Sequence, residues 1–176
     1  MELYRLEERS TLVRFGMDMI QSHLYLELSE DKMKKIKIFD QKKISELTRI
    51  SKKFLFIDKA YDIKPGVYGK SRKKISLSDW FLKSHFKNEP TMPGSLLIEA
   101  MLQTVVTIIY SDDKFKFKRS LIVKTQTSFF KKIDKSGIII IKAKILKKTN
   151  NFILAKAEVH FKNQKICDGI FHYINV

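Results

Sequence analysis

The chain has 176 residues, 44% hydrophobic and 11% aromatic, which suits one globular domain with an extension. Six glycines, three prolines and one cysteine exclude a collagen-like chain, a Pro/Gly-rich disordered chain and a disulfide framework. The 35 basic and 19 acidic residues give a net charge of +16. Such a charge attracts nucleic acid, anionic lipid or acidic protein, but it can also serve only to keep the chain soluble.

Two features of the chain indicate its location. No apolar run approaches the roughly 20 residues of a membrane span. The N-terminus carries Glu2, Glu7 and Glu8, unlike the basic start of a signal peptide. We therefore expect a cytoplasmic protein.

The first 42 residues are predicted to be an N-terminal extension, to which the sequence assigns no role, and 43–176 to be the domain. The spacing of apolar residues predicts five segments before residue 90. They are a short helix over 44–50, a buried strand over 54–57, a turn over 64–66, a strand over 67–77 and an irregular segment over 79–90.

The strongest helix signal covers 94–110. Pro93 suits the start of a helix, the next residues are almost all apolar, and Ser111 and Asp112 end the run. A helix that is apolar nearly all round should be buried on most sides.

The rest of the chain alternates between apolar and polar residues. It predicts four strands separated by polar segments, over 121–130, 138–146, 152–161 and 166–174. The last three form an antiparallel meander. One buried helix followed by such strands predicts an α+β fold, with an antiparallel sheet wrapped around the helix.

Two ionisable residues lie among apolar ones. His85 follows Trp80 and Phe81, and Glu99 lies on the apolar helix, where a carboxylate is costly unless paired, hydrogen-bonded or protonated. Taken singly, such a histidine or glutamate is more often structural than catalytic. Taken together they offer a base and an acid.

The start of the long helix offers a third element. The first N–H groups of a helix have no partner within it, and Gly94 has no side chain to block a ligand oxygen. A carbonyl bound there would be polarised as negative charge develops on it. A base, an acid and such a donor suffice to remove a proton beside a carbonyl and expel a hydroxyl.

Residues 85–103 read His-Phe-Lys-Asn-Glu-Pro-Thr-Met-Pro-Gly-Ser-Leu-Leu-Ile-Glu-Ala-Met-Leu-Gln. This stretch resembles the signature of the bacterial 3-hydroxyacyl-(acyl-carrier-protein) dehydratases. A glutamate at the acid position resembles the FabZ-like branch, since the FabA-like branch has aspartate there. The resemblance is strong over 79–103, extends to about 43–176 through a family-like strand at 54–58, and does not cover 1–40.

The resemblance implies a hot-dog fold and a homodimer, or a trimer of dimers, with each active site at a subunit interface. His85 of one subunit would take the C2 proton, and Glu99 of the other would assist departure of the 3-hydroxyl. The Gly94 N–H would hold the thioester carbonyl, and Gln103 would support the site. The acyl tunnel would be lined by apolar residues: Phe86, Met92, Phe129 and Phe130.

The resemblance implies no metal or redox cofactor, because the acyl group arrives on the 4'-phosphopantetheine of an acyl carrier protein. Carrier proteins are acidic, which gives the +16 charge a specific partner. Two departures, Lys87-Asn88 in place of Pro-Gly and Ser51-Lys52-Lys53 in place of His-Arg-Tyr-Pro, indicate a divergent member. We expect a role in fatty-acid synthesis or in a specialised polyketide, polyene or surface-lipid pathway.

Four other functions stay open. The same residues would suit a hot-dog thioesterase or an isomerase, and the altered loop at Lys87-Asn88 would suit a non-catalytic module that binds acyl groups or carrier protein. Charge alone would suit a nucleic-acid binder, although no recognition motif accompanies it. The other histidines and the cysteine are predicted to be structural or exposed: His23, His160, His172 and Cys167.

Overall fold

The computed structural model describes residues 37–86, 88–115 and 119–176. The strands within these ranges are β1 (Lys37–Asp40), β2 (Lys59–Lys64), β3 (Tyr68–Ile75), β4 (Ser120–Phe129), β5 (Gly137–Lys148), β6 (Phe152–Phe161) and β7 (Gln164–Asn175). The helices are α1 (Gln41–Thr48), α2 (Trp80–Ser84) and α3 (Gly94–Tyr110), and a 3-10 turn covers Lys52–Phe54.

The strands form one antiparallel sheet in the order β1-β2-β3-β5-β6-β7-β4. Inward-facing residues of β5 and β6 alternate with exposed ones, as expected where one face of a sheet covers a core and the other faces solvent. Helix α3 packs on the inner face. An antiparallel sheet around one long helix is the α+β architecture that the sequence predicts.

Helix α3 has the predicted bounds. Pro93 begins it, and the side chains of Ala100, Met101, Val105 and Ile108 have no exposed surface. At about 1.5 Å per residue, 17 residues span roughly 25 Å, which is enough to cross the sheet.

The C-terminal end of α3 is tied to two strands. The Gly66 N–H, in the predicted turn between β2 and β3, donates to the Ile108 carbonyl at 2.9 Å. Gly66 has a φ of +66°, a left-handed conformation that glycine adopts readily. Lys148, at the end of β5, donates to Asp112 Oδ2 at 2.6 Å just beyond the helix. The helix is thereby fixed along the sheet.

Two predictions before residue 90 are wrong. Residues 54–57 are not a strand, because the backbone groups of Phe54 and Phe56 bond to the side chain of Gln103 on α3 instead of to a neighbouring strand. Residues 80–84 are not irregular but form α2, whose Phe81 and Leu82 are buried.

The N-terminal part of the domain also contributes to the sheet. Strand β1 pairs with β2 and is followed directly by α1, which begins at Gln41 because the Asp40 carboxylate accepts from the Lys43 N–H at 2.8 Å. The sheet thus begins at Lys37, six residues before the predicted domain boundary at residue 43. The rest of the predicted extension, 1–36, lies outside the described residues.

Candidate active site

His85 lies directly after α2, and its ring is exposed. Its Nδ1 is 3.0 Å from the carbonyl oxygen of Thr91, and its ring packs on Phe86 with 4.1 Å between centroids. A carbonyl oxygen only accepts hydrogen bonds, so Nδ1 carries the proton. In the neutral ring, Nε2 therefore has a lone pair available to accept a proton.

Glu99 lies in the second turn of α3 and is half-buried. Its Oε1 accepts from Gln103 Nε2 at 2.8 Å, one helical turn further on. The second Nε2 proton of Gln103 is donated to the Phe54 carbonyl at 2.9 Å, and Gln103 Oε1 accepts from the Phe56 N–H at 2.8 Å. These partners fix the amide orientation, so Gln103 presents an N–H to Glu99 and holds the carboxyl in place.

Gly94 is the first residue of α3. The preceding residue, Pro93, has no side chain that could cap the helix, and within the described ranges the Gly94 N–H has no hydrogen-bond acceptor. The Phe129 ring lies over this glycine, since a Cβ at Gly94 would be 2.9 Å from two ring carbons. Gly94 thus offers a free N–H beside an aromatic ring.

The structure places the predicted site residues in three groups. His85 bonds to the chain before α3, Glu99 to Gln103, and Gly94 lies against Phe129. No hydrogen bond or ion pair joins His85 to Glu99 among the described residues of one chain.

The residues predicted to line an acyl tunnel differ in exposure. The side chains of Phe86, Phe129 and Phe130 are each about half exposed. Met92 is only 3% exposed, and its N–H donates to the Ile133 carbonyl at 2.9 Å. A role for these residues in binding an acyl chain stays a prediction.

Sequence reasoning missed the backbone groups that orient the site. The Thr91 carbonyl holds His85, and the Phe54 carbonyl and Phe56 N–H hold Gln103. These groups cannot be recognised from residue type, because they belong to the backbone, which is the same at almost every position. The only signal was Gln103 itself, an amide one turn after an acid on a buried helix.

The other candidate residues lie elsewhere. His160 Nε2 is 2.9 Å from Glu158 Oε1, and His172 packs against the Phe152 ring. Cys167 is buried on β7, and burial raises the pKa of its thiol to about 12. His23 lies outside the described residues.

The described part of the chain has neither a metal-binding cluster nor a membrane-spanning helix. No three His, Cys, Asp or Glu residues are grouped so that they could hold a metal ion. No helix there is long and apolar enough to cross a membrane.

A family model described as the FabA-like domain matches residues 50–169. Two curated relatives named 3-hydroxyacyl-(acyl-carrier-protein) dehydratase FabZ are similar to the chain. The protein from Caldicellulosiruptor saccharolyticus is 29% identical over 117 residues, covering 66% of this chain and 84% of the relative. The protein from Buchnera aphidicola is 33% identical over 129 residues, covering 72% and 85% respectively.

Solved structures show the same fold. A virulence protein from Campylobacter jejuni aligns with a TM-score of 0.60 at 16% identity, covering 76% of this chain and 87% of that one. A hypothetical thioesterase from Streptococcus pneumoniae, solved with coenzyme A, aligns with a TM-score of 0.53 at 11% identity, covering 64% and 80%. These neighbours confirm the predicted hot-dog fold.

Proposed function

This chain belongs to the FabA-like domain family, and from that membership we propose that it dehydrates a 3-hydroxyacyl thioester to the trans-2-enoyl thioester. The observation that carries the proposal is the state of the three polar groups. His85 Nε2 has a free lone pair, the Gly94 N–H has a free proton, and Glu99 is held through one oxygen by Gln103. Removal of a proton beside a carbonyl and loss of a β-hydroxyl need these groups.

The reaction begins at His85. Its Nε2 takes the C2 proton, and the electrons of the C2–H bond move onto the thioester carbonyl, whose oxygen is stabilised by the Gly94 N–H. The electrons return to form the C2–C3 double bond as the C3–O bond breaks. Glu99, protonated, gives its proton to the departing hydroxyl, which leaves as water. Transfer of the proton from His85 back to Glu99 restores both groups.

A second copy of the chain completes the site in this proposal. Strand β4 is at the edge of the sheet, and five large apolar side chains on it or just after it are exposed: Leu121, Ile122, Val123, Phe129 and Phe130. A long apolar edge is a template for pairing with another strand. Pairing of β4 with β4 of a second copy would bury this edge, and His85 of one subunit would then act with Glu99 of the other.

The substrate would be delivered by an acyl carrier protein, as the names of the relatives indicate for those proteins. The net charge of +16 favours an acidic carrier.

Intact-mass spectrometry of 3-hydroxyacyl chains of several lengths, each bound to carrier protein, tests the activity. We expect the acyl group to lose one water with the wild type and not with His85→Ala. Loss of the whole acyl group would instead indicate the thioesterase that the structural neighbour suggests. No change with any chain would favour a non-catalytic binding module.

Co-expression of His85→Ala with Glu99→Gln tests the shared site. Random pairing makes half of the dimers heterodimers, and each heterodimer has one intact site if the two residues come from different subunits. We expect about a quarter of the wild-type activity, although each variant alone is inactive. No recovery would place both residues in one chain and leave the dehydratase proposal standing.

A further inference from the structure

The outer face of the sheet carries a cluster of lysines at its centre. On β5, Lys142 and Lys144 point away from α3, because Ala143 and Ile145 between and beside them are buried. On β6, Lys156 does the same between buried alanines. With the exposed Leu146, these three lysines surround a shallow depression of about 280 Å³. We call Lys142, Lys144, Lys156 and Leu146 the lysine patch.

Two pairs of like charges face each other across neighbouring strands of this face. Lys144 is directly opposite Lys156, and Lys70 on β3 is directly opposite Lys142. Like charges at directly opposed positions destabilise a sheet. A bound anion would offset this repulsion.

Ion pairs neutralise only part of this face. Lys70 bonds to Asp62 at 2.9 Å, Lys142 lies 3.9 Å from Glu158, and Glu158 also lies 2.9 Å from His160. Within the residues that the structure describes, Lys144 and Lys156 have no acidic partner. Two ammonium groups at the centre of the patch thus remain available to a ligand.

The patch is separate from the proposed active site. Glu99 and Gly94 belong to α3, which packs on the inner face, whereas the lysines point outward from the other face. Delivery of a substrate to Glu99 therefore does not account for them.

We propose that the lysine patch binds the surface of an anionic phospholipid bilayer. Lysine ammonium groups are flexible point charges, which suit a plane of mobile phosphate groups, whereas planar arginine forks favour fixed bidentate contacts. Exposed Leu146 can enter the interfacial layer. The patch has neither aromatic platforms for single-stranded nucleic acid nor a helix to enter the groove of a duplex. It also lacks the aromatic or arginine anchors typical of protein interfaces.

Co-sedimentation of the full chain with vesicles tests the proposal. Vesicles of equal parts phosphatidylglycerol and phosphatidylcholine should bind the protein, and vesicles of phosphatidylcholine alone should not. Since each lysine near an anionic surface strengthens binding by about fivefold, Lys144→Gln/Lys156→Gln should weaken binding by about thirtyfold. Added salt should weaken it further.

The matched control changes the same number of charges elsewhere. Lys42→Gln/Lys135→Gln alters two exposed lysines of α1 and of the loop before β5, and it should bind the vesicles like the wild type. Equal loss in both variants would assign binding to total charge and overturn the proposal. The proposal would also be overturned if the wild type did not bind the vesicles but bound duplex DNA or acidic carrier protein through Lys144 and Lys156. Dehydration of a soluble carrier-bound substrate should be unchanged in both variants, which separates this proposal from that of the enzyme activity.

Discussion

Gln103 is the residue that connects the proposed acid to the rest of the molecule. Its side chain is 1% exposed and bonds to Glu99, Phe54 and Phe56 at once. A buried amide with three hydrogen-bond partners is held in one orientation. Its hydrogen bond to Glu99 therefore also fixes the position of the carboxyl group. Gln103 is therefore a positioning residue in the proposed reaction.

Gln103→Leu should lower kcat by about a hundredfold, since a small displacement of a reacting group has an effect of this size. KM should change less, because the Gly94 N–H proposed to bind the thioester carbonyl remains. The unpaired Phe56 N–H should also lower the free energy of unfolding by about 1–3 kcal/mol. Steady-state kinetics and urea unfolding measure the two effects.

Thr107→Val is the matched control for Gln103→Leu. It removes another buried polar group of α3, the hydroxyl that donates to the Gln103 carbonyl at 2.7 Å. This variant should lose stability and keep its kcat. Equal losses of kcat in the two variants would show that Gln103 acts only through the stability of the helix.

At the scale of the elements, the end of α3 depends on a salt bridge. Lys148 Nζ and Asp112 Oδ2 are 2.6 Å apart, and both side chains are partly buried. Burial by itself would raise the pKa of Asp112, but the hydrogen bonds from Lys148 and from the Lys114 N–H outweigh it, so the pKa is lowered. The pair thus stabilises the fold while Asp112 is ionised.

Asp112→Asn should lower the free energy of unfolding by about 1–2 kcal/mol at neutral pH, because it removes a charge-assisted hydrogen bond. The folded-state pKa is below the unfolded value of 3.8, so this contribution is present above that value and is lost as the pH falls through the folded-state pKa. Wild type and variant should therefore converge in stability as the pH falls below 3.8 and through the folded-state pKa. A constant difference from pH 7 to pH 2 would contradict this origin.

The elements differ in how far the sequence predicts them. Helix α3 is predicted to its ends because Pro93 and Ser111 bound an apolar run, and the meander because polar turns separate its strands. Residues 54–57 look like a strand because they are apolar and short. Their backbone partner is a side chain 47 positions along the chain from Phe56, which no local pattern reveals.

The candidate site divides in the same way. His85, Gly94, Glu99 and Gln103 are found from residue type and spacing. The tautomer of His85 is not predicted, because it depends on the carbonyl of Thr91, and no local pattern places that carbonyl beside the ring.

For the whole molecule, the proposed shared site depends on association of two chains through the exposed edge strand β4. Val123 lies at a bulge in the pairing of β4 with β7 and is 54% exposed, so it contributes little to the fold of one chain. A charge on an edge strand opposes pairing with another strand.

Val123→Asp should convert the proposed dimer to a monomer and lower the proposed dehydratase activity in parallel, since the proposed site needs two subunits. Sedimentation velocity measures the association, and thermal unfolding at low concentration checks the fold of the monomer. Val67→Asp, an exposed valine at the β2–β3 turn, should change neither. A variant that is monomeric and fully active would contradict the shared site.

The single cysteine of the chain can be used to measure local opening of the sheet next to the edge strand β4. Cys167 is its only cysteine, has no exposed surface, and is paired in the sheet with Phe129 of β4 on one side and Val159 of β6 on the other. Only a thiolate reacts with alkylating reagents, and burial raises the pKa of this thiol to about 12. Alkylation of Cys167 therefore requires local opening of the sheet, and its rate measures how often β7 separates from its neighbouring strands. If a second copy holds β4 in place, that rate falls as the protein concentration rises.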